Sequence, residues 1–476
     1  MIETVEENKE LTIWEALIAV FVLIGLLALN IFWFEGVLLG DYSNQFILLF
    51  AASVALVIGL KNQVSITKVL NEIGNNIKSV GVPIVILMLV GALAGTWLIG
   101  GVIPAMVYYG LQILNPSIFL PASVIIAAII SIATGSSWTT SATVGIALIG
   151  IGKALGIDAG MIAGAVISGA YFGDKMSPLS DTTNLAPAMA GTDLFTHIRY
   201  MTLTTVPTLI VTLIAFGIIS LNIDTSGVAD ISDFLASIKA TFTITPWLFV
   251  VPIVVVTMVL LKFKPLLALL TGVVLAAIFS VVFQSEVLAI ISDNTSASIL
   301  QAVFFDVTIE TDNEALNELF SSGGMLGMLW TILLILSAMV FGGVMDAIGA
   351  LSKITNALLK LATSVFGLFV STVFSCIGLN IVASDQYLAI VIPGKMFKKA
   401  YEDKGLAPEN LSRTLEDSGT VTSVLIPWNT CGAYQSGVLG VSVADYFVYA
   451  FFNYLSPITT LLFAAFRIKI KQLAKD

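Results

Sequence analysis

Long apolar runs dominate the chain. Eight of them, at about residues 12–34, 44–60, 80–99, 200–221, 246–261, 265–283, 325–345 and 445–466, are continuous enough to predict transmembrane helices. About 20 apolar residues rising 1.5 Å each cross a bilayer core roughly 30 Å thick. Two further stretches, 119–185 and 366–440, are apolar but broken midway by Gly, Ser, Thr, Pro, Asn and Asp. Between spans, residues 346–362 carry Lys353 and Lys360 and predict a surface helix.

The interrupted stretches decide the topology. Residues 119–152 hold two apolar arms, 121–132 and 144–151, around the polar tip Thr134-Gly135-Ser136-Ser137-Trp138-Thr139-Thr140-Ser141. Residues 366–392 repeat this, with arms 366–377 and 387–392 around 380–385. Either stretch could cross fully or re-enter as a hairpin. The excess of Lys and Arg on cytoplasmic loops arbitrates. With an internal N-terminus and two re-entrant hairpins, all of the 21 Lys and Arg except Lys153, Lys175 and Lys239 are cytoplasmic. With two full crossings, Arg199, Lys262, Lys264, Lys353 and Lys360 move outside. The hairpins are therefore preferred. An arm of about 12 residues makes some 18 Å of helix and reaches only the bilayer middle.

Two hairpins expose a repeat. Residues 80–221 read span, surface stretch, hairpin (119–152), broken helix (158–185), loop, span; residues 325–466 read the same with hairpin 366–392 and broken helix 414–440. The copies start on opposite sides, so they are inverted. Gly135 and Ser141 are six apart at one tip, as are Gly378 and Ser384 at the other. Pro178-Leu179-Ser180-Asp181-Thr182 marks one helix break and Pro427-Trp428-Asn429-Thr430 the other. The fold class is thus all-α and polytopic, with two inverted repeats, a pattern of secondary transporters. Around the repeats lie a cytoplasmic tail (1–11), two N-terminal helices and a loop (12–79), a linking region with two spans (222–324) and a basic cytoplasmic tail (467–476).

Composition agrees. Hydrophobic residues make up 57% and charged residues 11% of the 476, against about 25% charged in soluble domains. The first apolar run exceeds a signal-peptide core of about 7–15 residues, and no clear cleavage site follows. Cys376 and Cys431 both lie in apolar segments and read as packing residues, with no disulfide framework. The net charge of −10 gathers in three stretches: the N-terminal tail with Glu3, Glu6, Glu7 and Glu10, residues 222–245, and residues 284–324, all read as solvated. Nothing suggests a nucleic-acid surface. His197, the one histidine, is expected at a cytoplasmic loop next to Arg199, as a plain surface residue or a sensor of pH near neutrality.

Unpaired backbone groups in lipid cost several kcal/mol each, so the two tips and two breaks must face protein or a water-filled cavity. Together they should build one central site. The densest segment is Gly173-Asp174-Lys175-Met176-Ser177-Pro178-Leu179-Ser180-Asp181-Thr182-Thr183-Asn184. Intramembrane ionisable groups cost at least about 2.5 kcal/mol each and default to functional candidates. Na⁺ prefers oxygen ligands. A carboxylate in an apolar place also takes up a proton more readily than one in water. A site holding either ion, but not both, is the physical basis of exchange. The candidate ion- or substrate-binding residues are Asp174, Lys175, Ser177, Ser180, Asp181, Thr182 and Asn184, with Ser137, Thr139 and Thr140 at one tip. Asn380, Ser384 and Asp385 join them from the other tip, and Asn429 and Thr430 from the second break. Asp174, Asp181, Thr182 and Asp385 are the Na⁺ candidates. Structural readings compete: a Lys175 ion pair with Asp174 or Asp181 bracing a break, and helix capping by Asp385 or Asn380; Glu416 and Asp417 either coordinate or only cap a helix and suit its N-terminal dipole.

The run from Gly173 to Pro187 resembles the hallmark of the NhaC-type Na⁺/H⁺ antiporters. The tip Gly135-Ser136-Ser137-Trp138-Thr139-Thr140 and the run Pro427-Trp428-Asn429-Thr430-Cys431-Gly432 are similar to the same family, and the likeness spans roughly residues 80 to 466. It implies Na⁺/H⁺ exchange across a bacterial plasma membrane, while the basic-residue count places both termini in the cytoplasm. It implies transported ions rather than a cofactor, membrane lipid as surroundings, and room for a homodimer. The family also includes malate/lactate exchangers, so small carboxylates are an alternative cargo. An organic anion would want a positive partner, and Lys175 is the intramembrane cation the sequence offers. An intramembrane aspartyl enzyme built on Asp174 and Asp385 would need two facing helices sharing a proton. Those aspartates sit in non-equivalent elements, so an enzyme is not expected.

Overall fold

A computed structural model describes residues 11–34, 38–113, 115–223, 231–312 and 314–473. The acidic tail residues Glu3 to Glu10, with Asp224 and Asp230, lie outside that set. The chain folds almost wholly as helix. Among the described residues, eight helices are long and apolar enough to cross a membrane, or up to ten if two sharply bent pairs each count as a span. Their lipid-facing sides expose Leu, Ile, Val and Phe, as an apolar solvent permits.

The element order shows two similar series. The first runs Gly81–Ile99, Val102–Ile113, Pro116–Thr134, then a helical stretch 137–154, the helices Ala159–Met176 and Asp181–Ala190, and Leu194–Leu221. The second runs Leu329–Ala347, Ala350–Lys360, Val365–Val382, Gln386–Asp403, a second broken region 408–439, and Phe451–Ala465. Each hairpin tip is a left-handed residue followed by an extended N-cap. At one tip these are Gly135 (φ 70°) and Ser136; at the other, Ser384 (φ 59°) and Asp385. Gly135 therefore corresponds to Ser384. The Gly378 alignment expected from spacing fails, because Gly378 lies inside the helix Val365–Val382. Each broken helix resumes as a ten-residue helix, capped by Ser180 or Asn429 and closed by a left-handed glycine, Gly191 or Gly440.

Other expectations shift too. The hairpin arms are longer than expected: Pro116–Thr134 has 19 residues and Val365–Val382 has 18. Asn115 and Ser364 cap them outside the apolar runs that set the expected ends. The stretches 222–245 and 284–324 are not simple loops. They hold the helices Ile231–Thr241, Ser285–Ile291 and Thr295–Phe304, and a two-stranded ladder pairing Val307 with Ser322. Residues 246–261 begin with a 3₁₀ turn, Pro246–Phe249, and bend 85° from the preceding helix. His197 is not a surface residue. It is wholly buried on Leu194–Leu221, with Nδ1 2.8 Å from Ser412 Oγ.

Glycines set the first repeat's closest packing. On Ala159–Met176, a Cβ at Gly169 would lie 2.2 Å from the Val124 carbonyl oxygen, and one at Gly173 2.5 Å from that of Ala128. This four-residue glycine spacing lets two helices touch backbone to backbone. Ser131 Oγ then donates to the Ala170 carbonyl (2.6 Å), and Ser177 Oγ to that of Ile132 (2.7 Å). The tip and the break of one repeat are locked in register.

Candidate functional site

Both tips and both breaks border one cavity of about 810 Å³. Its lining includes Thr134 to Ser136, Trp138 and Thr139 from the first tip, and Asp174 and Leu179 to Thr182 from the first break. The second repeat contributes Asp385 to Leu388, Thr430 and Tyr434. All four Na⁺ candidates, Asp174, Asp181, Thr182 and Asp385, face it, as do Thr139, Ser180 and Thr430. Among the described residues, its lining holds three carboxylates and no lysine or arginine.

Asp174 ends the helix Ala159–Met176, and its Oδ2 accepts from the Ser137 N–H (3.0 Å) and from Ser137 Oγ (2.6 Å). It thus closes the N-terminus of the tip helix, where positive partial charge favours an anion. Ser136 caps that helix by accepting from the Thr139 N–H (3.2 Å), and Thr140 Oγ1 donates to the Ser136 carbonyl (2.9 Å). Asp181 opens the helix that Ser180 caps. Asn184 Nδ2 ties the break, donating to the carbonyls of Pro178 (3.0 Å) and Ser180 (2.7 Å). Asp385 caps its helix, accepting from the Leu388 N–H at 3.0 Å.

The second tip leans on the second break. Thr430 N–H donates to the Ser384 carbonyl (3.0 Å), and Trp428 Nε1 to that of Ile381 (2.8 Å). Asn429 Nδ2 reaches the carbonyl and side-chain oxygens of Asn380, whose own amide donates to Gly419 (2.7 Å) and Thr422 (3.1 Å). Across the repeats, Trp138 stacks on Tyr434 with centroids 4.0 Å apart, and Tyr434 Oη donates to the Trp138 carbonyl at 3.2 Å. Ser137, Thr140, Ser177, Asn184, Asn380, Ser384 and Asn429 therefore hold the walls without forming the lining.

Lys175 points away from the cavity. It is wholly buried and pairs with Asp417, not with Asp174 or Asp181. Its Nζ also lies 3.0 Å from Ser456 Oγ, and Asp417 accepts further from Thr204 (2.9 Å) and Thr460. Nor is Lys175 the sole buried cation: Arg413 is wholly buried and stacks on Tyr200, 4.5 Å from the ring centroid. Sequence reasoning left Glu416 and Asp417 open between coordinating a ligand and capping a helix. Their signal was present, two acids inside an apolar stretch. Among the described residues, no three His, Cys, Asp or Glu side chains gather as a metal cluster. A monovalent cation here would be met by hydroxyl, amide and carboxylate oxygens.

The profile of the Na⁺/H⁺ antiporter family matches residues 169–468, more than half of the chain. The chain belongs to this family. It is a multi-pass membrane transporter rather than an enzyme. The Na⁺/H⁺ antiporter NhaC of Alkalihalophilus pseudofirmus is 41% identical over 385 residues, covering 80% of this chain and 81% of that one. The malate-2H⁺/Na⁺-lactate antiporter of Bacillus subtilis is 35% identical over 422 residues, covering 87% and 88%. The arginine/ornithine antiporter ArcD of Halobacterium salinarum is 35% identical over 384 residues, covering 80% and 77%.

Proposed function

We propose that this antiporter exchanges Na⁺ for H⁺ across a bacterial plasma membrane by alternating access, serving pH homeostasis. Na⁺ occupies the central cavity, where Asp174, Asp181 and Asp385 supply charge and Thr182, Thr139, Ser180 and Thr430 supply neutral oxygens. One observation carries this reading: three carboxylates line the cavity, and among the described residues no lysine or arginine lines it to balance them. Such a cavity attracts small cations and repels free anions. Protons compete because a carboxylate that takes one loses its charge and releases Na⁺. The two tips and two breaks are the moving parts, and their inverted arrangement lets one site face either side in turn.

A second reading is exchange of small organic acids with Na⁺ and H⁺. The volume favours it, since about 810 Å³ lies within the roughly 300–1,000 Å³ of organic-ligand sites. The charge does not: Lys175 is committed to Asp417, and a carboxylate cargo would have to enter with its own cation.

Everted vesicles with an acid interior test this. Na⁺ should collapse the pH gradient by itself, and Asp174→Asn or Asp181→Asn should abolish that response while the protein still inserts. Malate, lactate, arginine and ornithine form parallel arms. A response only when an acid or amino acid accompanies Na⁺ would overturn bare Na⁺/H⁺ exchange.

A further inference from the structure

Behind the cavity wall stands a carboxylate that the central site does not use. Glu416 is wholly buried in a π-helical turn, Glu416–Thr420. Such turns widen a helix locally and concentrate at functional sites. Its Oε1 accepts from Thr182 Oγ1 at 3.0 Å, and its Oε2 has no hydrogen-bond partner. Four residues on, Thr420 Oγ1 is also buried without a partner. Thr182 Oγ1 lies 3.2 Å from Ser180 Oγ, and both residues line the cavity. A file of oxygens therefore leads from the cavity through Ser180 and Thr182 to Glu416 and Thr420.

A buried carboxylate with so few neutral donors is costly by several kcal/mol unless it takes up a proton or a positive charge joins it. Among the described residues no lysine or arginine forms an ion pair with Glu416. Lys175, the nearby ammonium, already binds Asp417 and Ser456. Arg413, three positions earlier, lies over Tyr200 and makes no ion pair with Glu416. The orphan atoms of Glu416 and Thr420 are oxygens, which suits a cation rather than an anion.

We propose that Glu416, Thr182 and Thr420 form a second, deeper site for a dehydrated monovalent cation, Na⁺, reached through the central cavity. It rests on the reading that Na⁺ enters that cavity. Thr182 then belongs to both sites, and its hydroxyl marks the step from one to the other. Glu416 joins the two broken helices through Thr182, so occupancy would also tie the repeats together.

The test uses the purified full chain with Na⁺ titrated against choline at fixed ionic strength. Equilibrium binding of radioactive Na⁺ and Na⁺-dependent thermal stabilisation are read side by side. Glu416→Gln should remove one Na⁺ site or weaken it by about tenfold or more, leaving the central site, and Thr420→Val should weaken that same site several-fold. A Glu416→Gln protein that folds and binds Na⁺ with wild-type affinity and site number overturns the proposal. Should Glu416→Gln not fold, Glu416→Asp and Thr420→Val decide by the same readouts: unchanged binding in both overturns it. A wild-type protein that binds Na⁺ but moves no protons defeats the antiport reading and leaves this site standing. One that binds no Na⁺ defeats both.

Discussion

At the scale of single residues, the buried charges separate into two kinds. Asp174, Asp181 and Asp385 face the cavity; Lys175 and Asp417 face each other. Asp417 is nearly saturated, with Lys175, Thr204, Ser456 and Thr460 around it. Removing one partner of such a pair leaves an uncompensated buried charge and costs about 3–5 kcal/mol, whereas replacing both with apolar groups is often neutral. Lys175→Met should therefore lower the melting temperature and the yield sharply. Lys175→Met combined with Asp417→Leu should recover most of the stability. Thermal unfolding in detergent checks this, and no recovery in the double variant would show that the pair does more than balance charge. The cavity aspartates were legible in the sequence because a carboxylate in an apolar run stands out. The partner of Lys175 was not, since Asp417 lies 242 residues away and only the fold brings them together.

At the scale of elements, the tips and breaks were legible for the same reason: Gly, Pro and hydroxyl residues interrupt apolar runs. Arm lengths were not, because polar caps such as Asn115 and Ser364 fix helix ends that hydropathy alone does not mark. Tip register was also hidden. Ser384 adopts the left-handed conformation that Gly135 adopts at the first tip, and a serine gives no warning of it. Close packing is what makes a tip and a break move as one piece. A side chain at Gly173 would meet the Ala128 carbonyl and Ser131 Cβ, each at 2.5 Å. Backbone cannot yield there as a flexible side chain could. Gly173→Val should push Ala159–Met176 off Pro116–Thr134 and break the Ser131 and Ser177 bonds. It should also displace Asp174 from Ser137. Exchange activity should fall to background, with a lower melting temperature even in protein that inserts. Wild-type exchange by this variant would mean that the glycine contact does not set the site.

At the scale of the whole molecule, the two similar series meet at a single cavity, and their relation across the membrane decides how that cavity reaches each side. If both hairpins re-enter, the series are inverted, and each repeat can adopt the conformation of the other while the site stays in place. If both cross fully, the loops holding Lys264 and Lys360 move to the other face and the second series no longer mirrors the first. Helix length does not decide, because Pro116–Thr134 and Val365–Val382 are each long enough to cross. The charge rule favours re-entry, since the hairpin arrangement would keep Lys262, Lys264, Lys353 and Lys360 on the cytoplasmic side where basic residues concentrate, and labelling decides. The chain suits cysteine labelling, since Cys376 and Cys431 are wholly buried. Lys264 and Lys360 are both exposed. Lys264→Cys and Lys360→Cys should each react with a membrane-impermeant maleimide in everted vesicles and stay unreactive in intact cells. Reaction of both in intact cells would mean that the two stretches cross. The antiporter would then need a different mechanical account, because two repeats of like orientation cannot exchange roles across the membrane plane.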